Sequence, residues 1–491
     1  MGFSFGNPGA ALLRRLLGAA GARTSGTAAR RSARGSVLVV AMWILLVLVG
    51  LVLVLARTMR AEGDRAANEV AAAQASAIQD GAIQYAISCV DNLGGVPPSD
   101  DNTPCEALQL GDGLFWILRS IGGDDQTYLF GITDEAGKVN LNTATLDMLS
   151  KLPKMTSEFA ASIIDWRDAD STVTPGGAES EYYLMLPDPY ECKNGPLETV
   201  EEVMLIKGAT SDIVYGADLN RNGVLDPGET TSLISGSTTM SGSRLDRGII
   251  NLVTVYSADK STTGAGAASG GTTSGTTTGG PVNINSASMT ALNNLLSPVV
   301  SSGRLAGVLD KARRLRPFRN AFDFYFRVGL SFDEFQPISG RITTTSGTPR
   351  GLININSAPR EVLLCLPTLD DSDVAALLAA RPALTAANAD RTSIAWVVKA
   401  LPQAKATAIG SAVTGRSFQF SADIVSVSGN GRAFKRCRVV LDARTSPPTV
   451  IYRQNLTHLG WPLDPNILTQ LRSGIGPEQF AQNLGQRIVG Q

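Results

Sequence analysis

Residues 37–56 read VLVVAMWILLVLVGLVLVLA, twenty positions without a charge. No other stretch limits the fold as strongly. As a helix, roughly twenty residues at ~1.5 Å each span the ~30 Å hydrocarbon core of a bilayer. A secretory signal has an apolar core of only about 7–15 residues and a small-residue cleavage site after it. Here the run leads instead into ARTMRAEGDRAANEVAAAQASAIQDGAIQYAISCV, which is rich in Ala and has no Pro. The helix is therefore predicted to continue well past the membrane. Six arginines (Arg14, Arg15, Arg23, Arg30, Arg31, Arg34) and no acidic residue precede the run. The positive-inside bias keeps this leader cytoplasmic and places the bulk of the chain across the membrane, as a single-pass protein.

With 491 residues the chain can bury more than one core, and two or three domains are expected. A net charge of −1 argues against a general electrostatic nucleic-acid binder. The single histidine, His458, removes most Ser-His-Asp, Cys-His and His-metal schemes. No catalytic constellation is legible, so no catalytic residue is assigned and the chain is not expected to be an enzyme. Five cysteines form no CxxC pair. In an extracytoplasmic compartment Cys89 and Cys105, which flank a polar loop, are the pair expected to join, and the odd count leaves a thiol over.

TYLFGITDEAGKVNLN reads as a β segment with a turn at Glu135–Gly137, and GIINLVTVYS as another short strand. SFQFSADIVSVSGNGRAFKRCRVVLDA reads as a hairpin turning at Gly429-Asn430-Gly431. A Gly/Thr/Ser stretch at 257–280 reads as a linker. Most informative is an internal repeat. VNLNTATLDMLSKL, VNINSASMTALNNLL and ININSAPREVLLCL begin at Val139, Val282 and Ile353. In each, a Thr or Ser (Thr143, Ser286, Ser357) is expected to cap the helix that follows. Second helices are expected after the first and third copies. These units resemble helix-hairpin-helix modules, which hold DNA phosphate on Gly-rich hairpins. The hairpins here, LPKMTSE and LPTLDDSD, lack the Gly pair, and the second carries Asp370, Asp371 and Asp373. Packing rather than DNA binding is expected of them.

DLNRNGVLDPGE, Asp218 to Glu229, matches a twelve-residue calcium loop position by position. Asp218, Asn220, Asn222 and Asp226 stand at positions 1, 3, 5 and 9. Gly223 is at the sharp turn, Val224 offers its carbonyl, and Glu229 can bind through both oxygens. Leu225 is expected to anchor the loop. Two Asn in place of Asp lower the ligand charge, which points to the weaker, extracellular range of Ca2+ affinity. A second acidic group, Asp168, Asp170, Glu179 and Glu181, follows IIDW.

Gly35, then Ser36, then the apolar helix resembles a type IV pilin-like prepilin. A prepilin peptidase would cut after Gly35 and leave a methylated Ser36 at the mature N-terminus. KVNLNTATLDML, IIDWRDAD, GGAESEYYLMLPDPYECKNGPLETVEEVMLIKG and VNINSA resemble the minor pseudopilin K family of type II secretion. The resemblance implies an α+β fold: a pilin-like long helix on a small antiparallel sheet, with a large, mainly helical insertion. On this reading residues 1–35 are the leader and 36–90 the long helix, with 36–56 in the inner membrane. Residues 91–138 and 413–465 form the pilin-like core. Residues 139–256 are a first insert unit with the calcium loop, 257–281 the linker, 282–412 the second and third units, and 466–491 a tail. It further implies a subunit at the tip of a periplasmic pseudopilus, partnered by the minor pseudopilins I and J, with Ca2+ bound in the insertion and no nucleic acid. The alternative is a pilin-like DNA-uptake protein. The family pattern usually places Glu at mature position five, where this chain has Val40. A tip subunit has nothing above it to pair with that charge, and an unpaired carboxylate inside a membrane is costly.

Overall fold

A computed structural model describes residues 34–99, 103–119, 127–218, 220–224, 226, 229, 231–232, 244–260, 281–385 and 390–480. The basic leader up to Ala33, most of the Gly/Thr/Ser linker, Leu225 and the end of the tail lie outside these residues. The chain divides at Ala66/Ala67 into two compact units. In the first unit, helix α1 (Arg34–Val90) begins. Its apolar run is exposed and long enough to cross a membrane. The Ala-rich sequence beyond sustains the helix into the second unit, as its composition predicts.

In the second unit the last turns of α1 cover one face of a six-stranded antiparallel sheet. Its strands are Leu108–Leu110 (β1), Gly113–Leu118 (β2), Thr133–Asp134 (β3), Gln419–Val427 (β4), Phe434–Asp442 (β5) and Thr449–Asn455 (β6). The order is β1-β2-β4-β5-β6, and β3 also pairs with β4. Side chains alternate across it. Phe115, Ile117, Phe420, Ala422, Ile424, Cys437, Val439 and Leu441 pack against Ile78, Ala82, Ile83, Ala86 and Val90 of α1. Leu114, Trp116, Leu118, Val425 and Val427 face the other way, onto Leu463, Leu471 and Phe480. Gly113 has no room for a side chain, since a Cβ there would meet Ile78 and the Val427 carbonyl at 2.3 Å. The β4–β5 hairpin turns at Gly431, whose φ is +63°. Cys105 belongs to this core and Cys89, on α1, packs partly buried against it, but no disulfide joins them.

Between β3 and β4 lie the three sequence copies, and the structure shows that each closes in the same way. The opening apolar-Asn dipeptide pairs in parallel with a dipeptide far downstream: Val139–Asn140 with Val253–Thr254, Val282–Asn283 with Ile342–Thr343, Ile353–Asn354 with Val413–Thr414. The first Asn then donates to a closing Ser: Asn140 to Ser257 at 2.9 Å, Asn283 to Ser346 at 3.1 Å, Asn354 to Ser417 at 2.7 Å. The second Asn clamps a loop of its own unit. Asn142 exchanges bonds with the backbone of Leu197, and Asn285 with that of Phe318. Asn356 donates to the Arg391 carbonyl and accepts from Trp396 Nε1. An arginine at the end of the second helix in the first copy, and just after it in the other two, bonds the motif's Ala carbonyl: Arg167 to Ala144, Arg316 to Ala287, Arg381 to Ala358. The motif's polar residues thus satisfy buried backbone groups, which explains why they recur.

Two expectations need correction. The caps are Thr145 and Ser288, each accepting from the third N–H of its helix, and not Thr143 and Ser286. In the third copy the cap position is Pro359, which makes no side-chain bond, and not Ser357. The chain spends two more residues turning back on the first Asn before the helix can start. The second copy also has a second helix, Ser302–Arg314, hidden in the sequence by Gly303 and Gly307.

The junction with the sheet is polar. Asp134 of β3 accepts from Asn354 at 2.9 Å and from Ser357 and Ser417 at 2.5 Å. Burial pushes its carboxyl up, against those hydrogen bonds. The neighbouring Glu135 is paired with Lys138 and accepts from Thr254. The first and third copies are thereby tied to one turn of the sheet. At the hairpin of the third copy, Asp370 caps helix Asp371–Ala380 by accepting from Ser372 and Asp373, and Lys405 pairs with it. A carboxylate holds the N–H groups on which a phosphate would sit.

Candidate metal centre

All six predicted ligand positions of the first loop are among the described residues. Asp218 is 2% exposed, and its two oxygens accept from the N–H groups of Asn222 (3.0 Å) and Gly223 (2.8 Å). This folds the loop tightly around its first residue and needs left-handed backbone at Arg221 (φ +56°) and Gly223 (φ +82°). Asn220 and Asn222 both turn their amides to Asp226 Oδ2, at 2.6 and 2.7 Å. Glu229 Oε2 accepts from the Asp226 N–H at 3.0 Å, closing the loop. Positions 1, 3, 5, 9 and 12 are therefore linked through one hydrogen-bonded group. Burial pushes the Asp218 carboxyl up, although two N–H donors and the guanidinium groups of Arg247 and Arg436 oppose it. The donor set is oxygen only, the chemistry of a hard cation such as Ca2+.

The second group lies where helix Ser157–Arg167 ends and a loop carries the chain to Glu179. Ligand atoms of Asp168, Asp170 and Glu179 fall within 4.8 Å of one another. Glu181 is exposed on helix Ser180–Leu184 and is not part of that group. Glu179 is 3% exposed, and neither of its oxygens has a hydrogen-bond partner. Asp168 Oδ1 is likewise buried without one. Asp165, which sequence reasoning missed, is a nearby charge to Asp168 and Glu179 but is not one of the three whose ligand atoms fall within 4.8 Å. It is wholly buried, with Oδ1 accepting from Thr174 and Oδ2 unsatisfied. Its signal was an acid set between Ile164 and Trp166 on the apolar face of a helix. A Cβ at Gly177 would lie 2.0 Å from Asp165 Oδ2, so only glycine lets the loop close over it. Burial, then the neighbouring carboxylates, push Asp168 and Glu179 up. Buried carboxylate oxygens without donors are costly unless a cation or protons supply the missing partner. The oxygens of Asp168, Asp170 and Glu179 are of the type a hard cation such as Ca2+ takes.

Residues 133–216 match the family model described as type II secretion system (T2SS), protein K. The match is to this segment of the chain. The matched segment begins at β3, includes the first copy's motif and residues 165–179, and ends two residues before Asp218. No curated protein matches the chain. Among solved structures it is similar to a chain of the GspK-GspI-GspJ complex from the type 2 secretion system of enterotoxigenic Escherichia coli. The identity is 14% and the TM-score 0.32, over 77% of this chain and 94% of that one.

Proposed function

We propose that this chain is a minor pseudopilin at the tip of the type II secretion pseudopilus, with a structural role in protein export. The observation that carries the reading is a segment matching the protein K family model, inserted between the strands of a sheet packed on a long, apolar-tipped helix. α1 anchors the subunit in the inner membrane and packs against partner helices, and the bulk stands in the periplasm. The three units, helix-hairpin-helix-like in sequence, are used for packing and bulk rather than for nucleic acid. Their polar motif residues are spent on internal backbone groups, and one hairpin is filled by Asp370. The partners are the minor pseudopilins I and J, and Val40 suits a subunit with no neighbour above it. A prepilin peptidase cuts after Gly35. Calcium supplies only charge and coordination. Asp218, Asn220, Asn222, Val224, Asp226 and Glu229 hold one ion, and Asp168, Asp170 and Glu179 a second.

Full-length protein extracted from membranes that contain I-type and J-type pseudopilins is expected to retain both. Mass spectrometry of that complex should read a methylated Ser36 as its first residue. Retention of neither partner, or an intact leader, would count against the assignment.

A further inference from the structure

Arg436 of β5 is 0% exposed. Its Nε and Nη2 donate to the two oxygens of Asp423 on β4, at 2.9 and 2.7 Å. Its remaining reach goes to the calcium loop. Nη1 donates to the Asn220 carbonyl, and Nη2 to the Arg221 carbonyl at 3.0 Å. Asn222 donates to the Pro462 carbonyl, in the segment beyond β6, at 2.8 Å. Three consecutive loop positions, 3, 4 and 5, are therefore bonded to the sheet or to its C-terminal extension, more than two hundred residues away in sequence. Two of them are ligand positions. Their side chains gather at Asp226, while their backbone carbonyls or spare amide protons face the sheet. A guanidinium is suited to this, because its planar fork fixes a carboxylate and two carbonyls at once.

We propose that the Asp218–Glu229 loop is a latch set by calcium, holding the first inserted unit onto the pilin-like sheet, with Arg436 as the positioning residue on the sheet side. The proposal rests on the calcium reading above. The loop conformation that binds the ion is the one that meets Arg436 and Pro462. Each therefore favours the other, and by linkage the sheet contact raises calcium affinity by the factor by which calcium favours the contact.

Hydrogen exchange of the detergent-solubilised full chain, in chelator and across a calcium chloride titration, tests this. Calcium is expected to slow exchange in 218–229 and, with the same midpoint, in 434–442 and 462–472. Glu229→Ala should abolish all three changes while leaving any change in 165–179. Arg436→Lys, which keeps the charge beside Asp423 but loses the fork, should weaken loop affinity by about tenfold or more, as loss of a metal site's supporting contacts does. Slowing confined to 218–229 would overturn the latch and leave the calcium reading standing. No effect of calcium on 218–229 would remove both. The wild-type comparison decides between these results even if the lysine variant does not fold.

Discussion

Asp423→Ala is expected to destabilise the protein by about 3–5 kcal/mol, because it strands a buried arginine. Arg436 has no exposed surface, and Arg438 Nη2 lies 3.6 Å from the same carboxylate. Without Asp423 the two guanidinium groups, neighbours on one face of β5, have no anion between them. The carbonyls of Asn220 and Arg221 would still accept from Arg436, but each neutral hydrogen bond contributes only about 0.5–1.5 kcal/mol net. They cannot replace a charge partner. Replacing both residues, Asp423→Leu with Arg436→Met, should recover more than half of the loss, since it removes the buried charge together with its partner. Denaturant unfolding of the solubilised chain measures both variants. A single-variant loss below about 1 kcal/mol would mean that water reaches the pair.

Chelation is expected to have the next largest effect. An ion held only by the folded state stabilises it by RT ln(1 + [L]/Kd), about 2.7 kcal/mol at a hundredfold excess over Kd. Millimolar calcium should therefore raise the melting temperature over that in chelator. Glu229→Ala should remove the part due to the loop. Glu179→Ala should remove the part due to the second cluster. There the gain has a further source, because the ion supplies partners for carboxylate oxygens that otherwise have none. Identical melting in chelator and in millimolar calcium, for the unaltered protein, would make the loop a polar turn and leave the cluster's buried oxygens to protons instead of a cation.

Signals carried by neighbours in sequence were legible. The charge-free run and the Ala-rich stretch after it mark α1, and alternation about Gly431 marks the hairpin. The turn of the twelve-residue loop could be read because Asp218, Asn222, Gly223 and Asp226, which bond one another, are also close in sequence. The copies were visible where they begin, at residues that make a local turn. Their closing strands were not, since Val253, Ile342 and Val413 pair across long separations and each strand is only two residues long. The caps were misplaced because the sequence shows a polar residue before a helix but not the turn that delays it. Asp165 and Arg436 were missed for a common reason. Each is a charged residue whose partners arrive from elsewhere in the fold: the loop closing over Asp165, and Asp423 with the Asn220–Arg221 backbone around Arg436. Apart from the apolar neighbours Ile164 and Trp166 of Asp165, nothing adjacent in sequence marks these charges as buried.

The position of the subunit is the claim that matters most for export. Gold labelling of an epitope placed in the linker at 261–280, on pseudopili sheared from cells that overproduce the major subunit, reads it directly. The proposed tip position predicts label at one end of each fibre. Label distributed along the fibre, or absent from fibres that assemble normally with this protein present, would contradict it.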